Sequence, residues 1–326
     1  MLSKIRSLQQ VGVIGINCRN GDFIERYNPR RLFPLVDDKV RTKQLAMAAG
    51  IAVPELYDTI ETPHDIRKVE QLRDRYTDFV IKPAQGSGGD GILVVTGHSG
   101  KNFRRHNGLL VTPEEVSHYL SNILSGQYSL GGHPDKAMVE YRVVNDPIFD
   151  DVAYQGIPDI RIIVFQGYPV MAMIRLPTRQ SQGKANLHQG AIGVGIDLGS
   201  GRTLGGVHGN SVIANHPDTG SSIRDLEIPE WDRLLTLAAR CFELSGLGYL
   251  GVDIVLDRNQ GPLILELNAR PGLNIQIANG TGLRHRLRAV EECDSADDVT
   301  RRVAFSRRRF AVQAPPMADE LLQPAV

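Results

Sequence analysis

The glycine-rich run Gly86-Ser87-Gly88-Gly89-Asp90-Gly91 lies between two stretches that both read as strands, Phe79-Val80-Ile81-Lys82 before it and Ile92 to Val95 after it. It satisfies the pattern G-x-G-x-x-G, a weak signal alone, because glycine clusters also make ordinary turns. Context decides between the readings. A dinucleotide fingerprint needs strand, loop and then helix, so that a helix N-terminus faces the pyrophosphate. A strand follows here, which argues against that reading and predicts a hairpin with a mobile tip. Small residues would let the backbone N–H groups of such a tip close over a triphosphate. Lys82, just before the loop, could reach phosphate oxygens; a solvated lysine beside a turn is the competing reading. The chain has neither a G-x-x-x-x-G-K-[ST] loop nor the His-Arg-Asp and Asp-Phe-Gly elements of protein kinases.

A second constraint comes late in the chain. Gly248-Tyr-Leu-Gly-Val-Asp253-Ile-Val-Leu and Gly261-Pro-Leu-Ile-Leu-Glu266-Leu-Asn268 are apolar strands that each carry acidic or amide oxygens. Period-two alternation sends Glu266 and Asn268 to one face while Leu265 and Leu267 point to the other. If the two strands pair through the Asp257–Gly261 turn, Asp253 can join that face. Burying carboxylates costs several kcal/mol unless something neutralises them. Oxygen ligands of this kind suit Mg²⁺, which takes one or two carboxylates beside phosphate oxygens and water. A solvent-facing edge hairpin is the bland alternative, and three oxygen ligands downstream of a glycine loop outweigh it.

Elsewhere the sequence predicts a strand at Val11–Ile16, turns from Asn17 to Pro34, and a helix from Asp37 or Asp38 to Ala49 with Leu45 and Ala48 on one side and a stop at Gly50. An extended segment follows from Ile51 to Tyr57, then helices over Thr62–Tyr76, Thr112–Leu124 and Trp231–Ser245. Strands recur at Met138–Val144, Ile160–Phe165, Val170–Ile174 and Ala191–Ile196. Strands with few interleaved helices favour α+β over an alternating parallel sheet. The arginine-rich stretch after about Arg288 reads as a loosely ordered tail.

At 326 residues, with 41% apolar and 23% charged, the chain can build more than one compact lobe. Lys plus Arg balances Asp plus Glu at 37 each, so no global field recruits nucleic acid or an anionic membrane. The three cysteines form no CxxC pair, and no signal peptide or apolar span is visible, which points to a cytoplasmic protein with no membrane insertion.

Taken together these motifs resemble the ATP-grasp superfamily, and most closely its ribosomal-protein-modifying α-L-glutamate ligases, over about Asp37 to Leu283. The carriers are Asp38-Lys-Val-Arg-Thr-Lys-Gln-Leu, Val80-Ile-Lys-Pro-Ala-Gln-Gly-Ser-Gly-Gly-Asp-Gly, Val139-Glu-Tyr, Asp159-Ile-Arg and Met173-Ile-Arg. Lys184-Ala-Asn-Leu-His-Gln-Gly, Gly251-Val-Asp-Ile and Glu266-Leu-Asn-Ala-Arg-Pro-Gly-Leu complete the set. The resemblance implies an ATP-grasp fold of two α+β lobes clasping ATP. They would be a nucleotide-binding lobe over 37–138, with an insertion at 98–136, and a metal-bearing lobe over 139–288. A short N-terminal segment, 1–36, would precede them and a basic tail, 289–326, would follow.

The resemblance also implies roles. Lys43 and Lys82 would contact phosphates, with Gly86, Ser87, Gly88, Gly89 and Gly91 in the lid. Glu140 and Tyr141 would form the hinge that reads adenine, partly through backbone groups, and Asp159 would hold the ribose. Lys184 and Asn186 would approach the triphosphate. Arg175 and Arg270 would be catalytic, stabilising charge on the transferring phosphoryl or positioning the acceptor carboxylate. Asp253, Glu266 and Asn268 would bind two Mg²⁺ ions, Glu266 bridging them, with Mn²⁺ able to substitute.

The implied activity is an ADP-forming carboxylate–amine ligase that adds glutamate or another amino acid to a peptide or small molecule through an acyl-phosphate. Its partners would be a carboxylate substrate and an amine substrate, an amino acid or peptide, and a homo-oligomer is compatible with the sequence. An ATP-grasp phosphotransferase and a non-catalytic nucleotide-binding regulator remain as alternatives.

Overall fold

The computed structural model describes residues 10–86, 88–129, 131–293 and 297–312. The first lobe is a six-stranded antiparallel sheet built from β1 (Leu56–Ile60), β2 (Phe79–Pro83), β3 (Leu93–Ser99), β4 (Asn102–Arg105), β5 (Leu110–Val111) and β6 (Ala137–Glu140). Their spatial order is β1-β6-β2-β3-β4-β5. β2 and β3 form the expected hairpin, with Phe79 opposite Val95 and Ile81 opposite Leu93. Alternation along β2 and β6 sorts the sheet into two faces. Phe79, Ile81, Ala137 and Val139 enter an apolar core with Val69 and Leu72 of helix α2 (Lys68–Arg75) and Val116, Leu120 and Ile123 of α3 (Pro113–Leu124). Lys82, Met138 and Glu140 fall on the opposite face. There Val40 of α1 (Lys39–Ala48) packs on Met138 and Ala84.

Strand β4, strand β5 and helix α3 all lie in the stretch 98–136. Phe103, Val116, Leu120 and Ile123 are core residues, so this stretch completes the lobe rather than decorating it. Thr112 caps α3 in a reciprocal box with Glu115, as its sequence predicts. Helix α1 begins at its Asp38 cap, but its buried side chains are Val40, Thr42, Lys43 and Ala46 rather than Leu45 and Ala48. A lysine on the inner face hides the amphipathic pattern from the sequence.

The second lobe is a seven-stranded antiparallel sheet of β7 (Asp159–Phe165), β8 (Tyr168–Leu176), β9 (Ile192–Ile196), β10 (Thr203–His208), β11 (Ser211–Ile213), β12 (Tyr249–Asp257) and β13 (Gly261–Asn268). Its order is β11-β10-β9-β8-β7-β12-β13. Helix α4 (Trp231–Ser245) buries Leu234, Leu235, Ala238 and Cys241 in its core. The opposite face of β7 and β12 carries charge among apolar residues.

Three expectations are corrected. Val11–Ile16 forms no strand, because Ile14 finds its partners in one distant side chain. Its N–H donates to Gln276 Oε1 at 2.9 Å and its carbonyl accepts from Gln276 Nε2 at 3.0 Å. The stretch expected to be turns is helical over 16–27, with a π turn over Arg19–Ile24. Phe23 and Tyr27 set their rings edge-on to Phe165, at centroid distances of 5.7 and 4.9 Å. The region after Arg288 is not loose where it is described: α5 (Arg284–Glu291) is followed by α6 (Val299–Phe310). Buried Arg302 pairs with Glu243, and Phe305 meets Tyr168 edge-on at 5.4 Å. Residues 313–326 lie outside the described residues. Among those described, no helix is long and apolar enough to cross a membrane.

Candidate active site

The polar face of the first sheet and helix α1 enclose two lysines and one glutamate. Lys43, Lys82 and Glu140 are 4%, 6% and 3% exposed. The Glu140 carboxylate takes Lys82 on one oxygen and Lys43 on the other, and Lys43 also donates to the Pro54 carbonyl. Burial would push the Glu140 carboxyl up, but the two ammoniums outweigh it and hold it below the usual range. Burial pulls Lys43 down to about 8, with Lys82 adding repulsion and Glu140 opposing the shift. Two ammoniums share one carboxylate, so this buried cluster carries an unmatched positive charge that an anion would complete. The Glu140 side chain is fully engaged by the lysines and is not free to meet a base.

Across a narrow cleft lined by Lys39, Thr42, Lys43 and Glu266 stands the acidic hairpin of β12 and β13. Its register contains an irregularity on which the site depends. Asp257 pairs with Gly261, Val255 with Leu263 and Ile254 with Ile264, so regular pairing would put Asp253 opposite Leu265. A bulge at that point puts Asp253 opposite Glu266 and Gly251 opposite Asn268 instead. The two carboxylates and the amide thereby share one face. Asn268 Nδ2 donates to Asp253 Oδ2 at 3.3 Å and to Glu266 Oε1 at 3.2 Å. Turned over by half a rotation, that amide offers its carbonyl oxygen instead. The three side chains then make an all-oxygen donor set of the kind that suits Mg²⁺, with Glu266 and Asn268 its partly exposed members and Asp253 free to join only when its arginine contacts open.

Asp253 is fully buried and is held by two arginines from neighbouring strands. Arg161 Nε donates to Oδ1 at 2.7 Å and its Nη2 to Oδ2, while Arg175 Nη2 reaches Oδ2 at 2.7 Å. Burial opposes ionisation of Asp253, but Arg161 and Arg175 outweigh it and keep the carboxyl depressed. Arg175 also grips both oxygens of Asp159. Burial raises the Asp159 carboxyl, and the nearby Asp253 charge adds to that, against Arg175. With both oxygens engaged, Asp159 has no free carboxylate for a ribose while this pair is closed.

The glycine run bridges the lobes. Lys39 Nζ donates to the Gly86 carbonyl at 2.5 Å and lies 3.7 Å from Glu266 Oε2. Asp90 pairs with Lys184 at 2.7 Å. Asn186 Nδ2 is 3.5 Å from the Gly88 carbonyl. Gly88, Gly89 and Gly91 all have φ between 69 and 79°, where a side chain would strain the turn. A Cβ on Gly91 would also come within 2.6 Å of the Tyr128 ring. Ser87 lies outside the described residues.

Two further expected residues lie at the rim. Tyr141 sits where β6 ends, its N–H bonded to the Glu55 carbonyl at 2.8 Å and its hydroxyl 3.4 Å from Asp257. Arg270 is exposed and lies over the Phe33 ring at 4.7 Å. The structure brings in two residues to which sequence reasoning gave no role. Arg161 is two positions from Asp159 on β7 and so shares its face, and Lys39 is one helical turn from Lys43. Both spacings were readable.

Comparison with known proteins gives two curated Pseudomonas putida proteins named probable alpha-L-glutamate ligase. Each is 25% identical over 244 residues, which is 74% of this chain; the chain spans 59% of the length of these relatives. Among solved structures, the D-cycloserine synthetase DcsG aligns at 17% identity over 81% of this chain and 72% of its own, with a TM-score of 0.46. The ATP-grasp ligase PsnB, complexed with a minimal precursor, aligns at 16% identity over 82% of this chain and 63% of its own, with a TM-score of 0.44. The sugar-transfer associated ATP-grasp family matches residues 18–292, most of the chain including both walls of the cleft, and the protein therefore belongs to that family.

Proposed function

We propose that the chain is an ATP-dependent carboxylate–amine ligase that adds glutamate or another amino acid to a peptide or small molecule. The observation that carries this reading is the facing of opposites across one cleft. A buried lysine pair with surplus positive charge opposes two carboxylates and an amide on a shared face, and the glycine hairpin reaches from one wall to the other. In this reading Lys43 and Lys82 hold phosphate oxygens, and Gly86 to Gly91 with Lys184 and Asn186 close over them. The main chain at Glu140 and Tyr141 faces the base. Asp159 holds Arg175 in place, a role its closed ion pair favours over direct contact with the ribose.

The reaction runs in two steps. A substrate carboxylate oxygen attacks the γ-phosphorus of ATP, the bond to the β–γ bridging oxygen breaks, and ADP leaves an acyl-phosphate. The amine then attacks the acyl carbon, loses a proton and expels phosphate. Mg²⁺ held by Asp253, Glu266 and Asn268 would neutralise charge on the transferring phosphoryl. Arg175 and Arg161 orient Asp253 from fixed positions, and Arg270 stands at the open rim to meet a substrate carboxylate. Preorganised cations of this kind cost no reorganisation at the moment of reaction.

The test is a screen of amino acids and peptides for ADP release, with mass spectrometry of products. A ligase releases ADP and phosphate only with both an acid and an amine present, and its product gains the mass of the amine minus water. A stable phosphorylated product formed without an amine would replace this reading with a phosphotransferase.

A further inference from the structure

The N-terminal helical stretch over 16–27 covers the site face of the second sheet and brings a guanidinium there. Arg19 is 9% exposed, yet among the described residues it has no carboxylate partner. Its Nη1 donates to the Pro271 carbonyl at 2.7 Å, while Nε and Nη2 share Asn20 Oδ1 at 3.1 and 2.8 Å. A guanidinium has five N–H donors, so two of them are left over. Burial lowers the Arg19 pKa, and the other cation acting on it is Arg270, a like charge. Arg270 in turn makes no ion pair among the described residues; Asp37 feels its charge without pairing with it.

A second, independent observation lies beside this pair. Tyr249 is completely buried, and its hydroxyl has no hydrogen-bond partner among the described residues. Its ring is fixed by Phe23 and Phe165, at 6.2 and 6.4 Å between centroids. Arg19 is near enough for its charge to oppose the rise that burial gives the Tyr249 hydroxyl. Tyr249, Gly251 and Asp253 alternate onto one face of β12. Gly251 lies under Pro271, where a Cβ would come within 2.7 Å of the proline ring. The phenol and Arg19 therefore sit farther along the face that carries Asp253, beyond the Arg270–Pro271 turn. A buried orphan donor next to an unmatched guanidinium, with a second cation nearby, is a set of groups that lacks an anion.

We propose that Arg19, Arg270 and the Tyr249 hydroxyl form a subsite for a carboxylate that the substrate carries in addition to its reacting group. This rests on the ligase reading of the same face and narrows the substrate to dicarboxylates, amino acids or peptides that keep one free carboxylate through the reaction. Arg19 and Tyr249 are then binding residues, contributed in part by a segment outside the two lobes.

Glutarate is the probe, titrated calorimetrically into the full chain with Mg-ADP bound, with neutral glutaramide as control. Wild type binds glutarate. Arg19→Gln weakens it by about tenfold or more, and Tyr249→Phe by severalfold, the loss expected for hydrogen bonds to a charged group. Arg19→Lys, which keeps the charge without the fork, falls between and serves if Arg19→Gln does not fold. Without glutarate, Tyr249→Phe has a Tm no lower than wild type, because it removes a hydroxyl that bonds to nothing. Absence of glutarate binding to wild type, or equal affinity in Arg19→Gln and Tyr249→Phe, overturns the subsite. A clear fall in Tm for ligand-free Tyr249→Phe also overturns it, since the hydroxyl would then have a partner within the protein. Mg-ADP affinity is measured separately. If wild type fails to bind Mg-ADP, the ligase reading falls, and the dependence of glutarate binding on Arg19 still decides the subsite.

Discussion

Glu140→Gln removes one negative charge and almost no volume, and its consequences follow from the two lysines around it. In the native protein Glu140 accepts from Lys43 and Lys82 in a site closed to water. At an effective dielectric of about 20, a direct ion-pair contact contributes roughly 5 kcal/mol before desolvation is counted. Most of that offsets the cost of burying the charges, and breaking such a cluster by removing one partner costs about 3–5 kcal/mol. At roughly 2–4 °C per kcal/mol, the expected fall in Tm is on the order of 10 °C. Scanning calorimetry across pH separates this cause from simple mispacking. Lys43 already has its pKa pulled down to about 8, and losing Glu140 pulls it lower. Between about pH 6 and 8 the variant therefore binds fewer protons in the folded state than wild type does. Its stability rises faster with pH there, and the deficit shrinks towards pH 9. A deficit below about 1 kcal/mol, or one equal at pH 6 and pH 9, would refute the electrostatic account of the cluster.

Other outcomes test the rest of the site. Nucleotide affinity should fall as pH rises through about 8, because neutral Lys43 no longer attracts phosphate, and Lys43→Arg should flatten that dependence between pH 7 and 9; titration of Mg-ADP checks both. Lys43 itself has a lower pKa folded than unfolded, so its contribution to stability improves from about pH 8 to 10.5, which thermal melts of wild type and Lys43→Met can compare. Glu266→Gln should abolish turnover, by about a hundredfold or more, while leaving Tm within a few degrees, since the residue is only half-buried; undiminished ADP release would remove the metal assignment. Lys184→Ala should raise the KM for ATP more than it lowers kcat if the Asp90 contact helps to close the hairpin, and unchanged steady-state kinetics would show that the contact is incidental.

Much of the architecture was legible because it rests on local periodicity. The alternation in Phe79-Val80-Ile81-Lys82 predicts both a strand and the face on which Lys82 stands, and the apolar spacing of Trp231–Ser245 predicts helix α4 with its bounds. The carboxylates of β12 and β13 were visible for the same reason. What escaped depends on partners far away in sequence. Nothing near Val11–Ile16 announces that Gln276, 262 residues from Ile14, will satisfy its backbone in place of a neighbouring strand. Helix α6 reads as a solvated basic run because its arginines are matched elsewhere, Arg302 by Glu243 and Arg307 by Asp232. Arg161 stands two residues from Asp159 on β7, a spacing that places both on one face, but that its partner is Asp253 depends on a strand 92 residues away.

The bulge at Leu265 makes the acidic hairpin sensitive to register in a way that residue identity does not reveal. Closing the bulge with every residue kept, by sliding β13 one position into regular pairing, would leave both strands, their turn and every acid in place, yet it would turn Glu266 and Asn268 towards the opposite side of the sheet from Asp253. Two chains could then share all the sequence hallmarks of this site while only one of them could assemble it. Among relatives of this protein, a chain lacking that leucine would bring the same acids together without a bulge, while a chain that keeps it needs the bulge to do so.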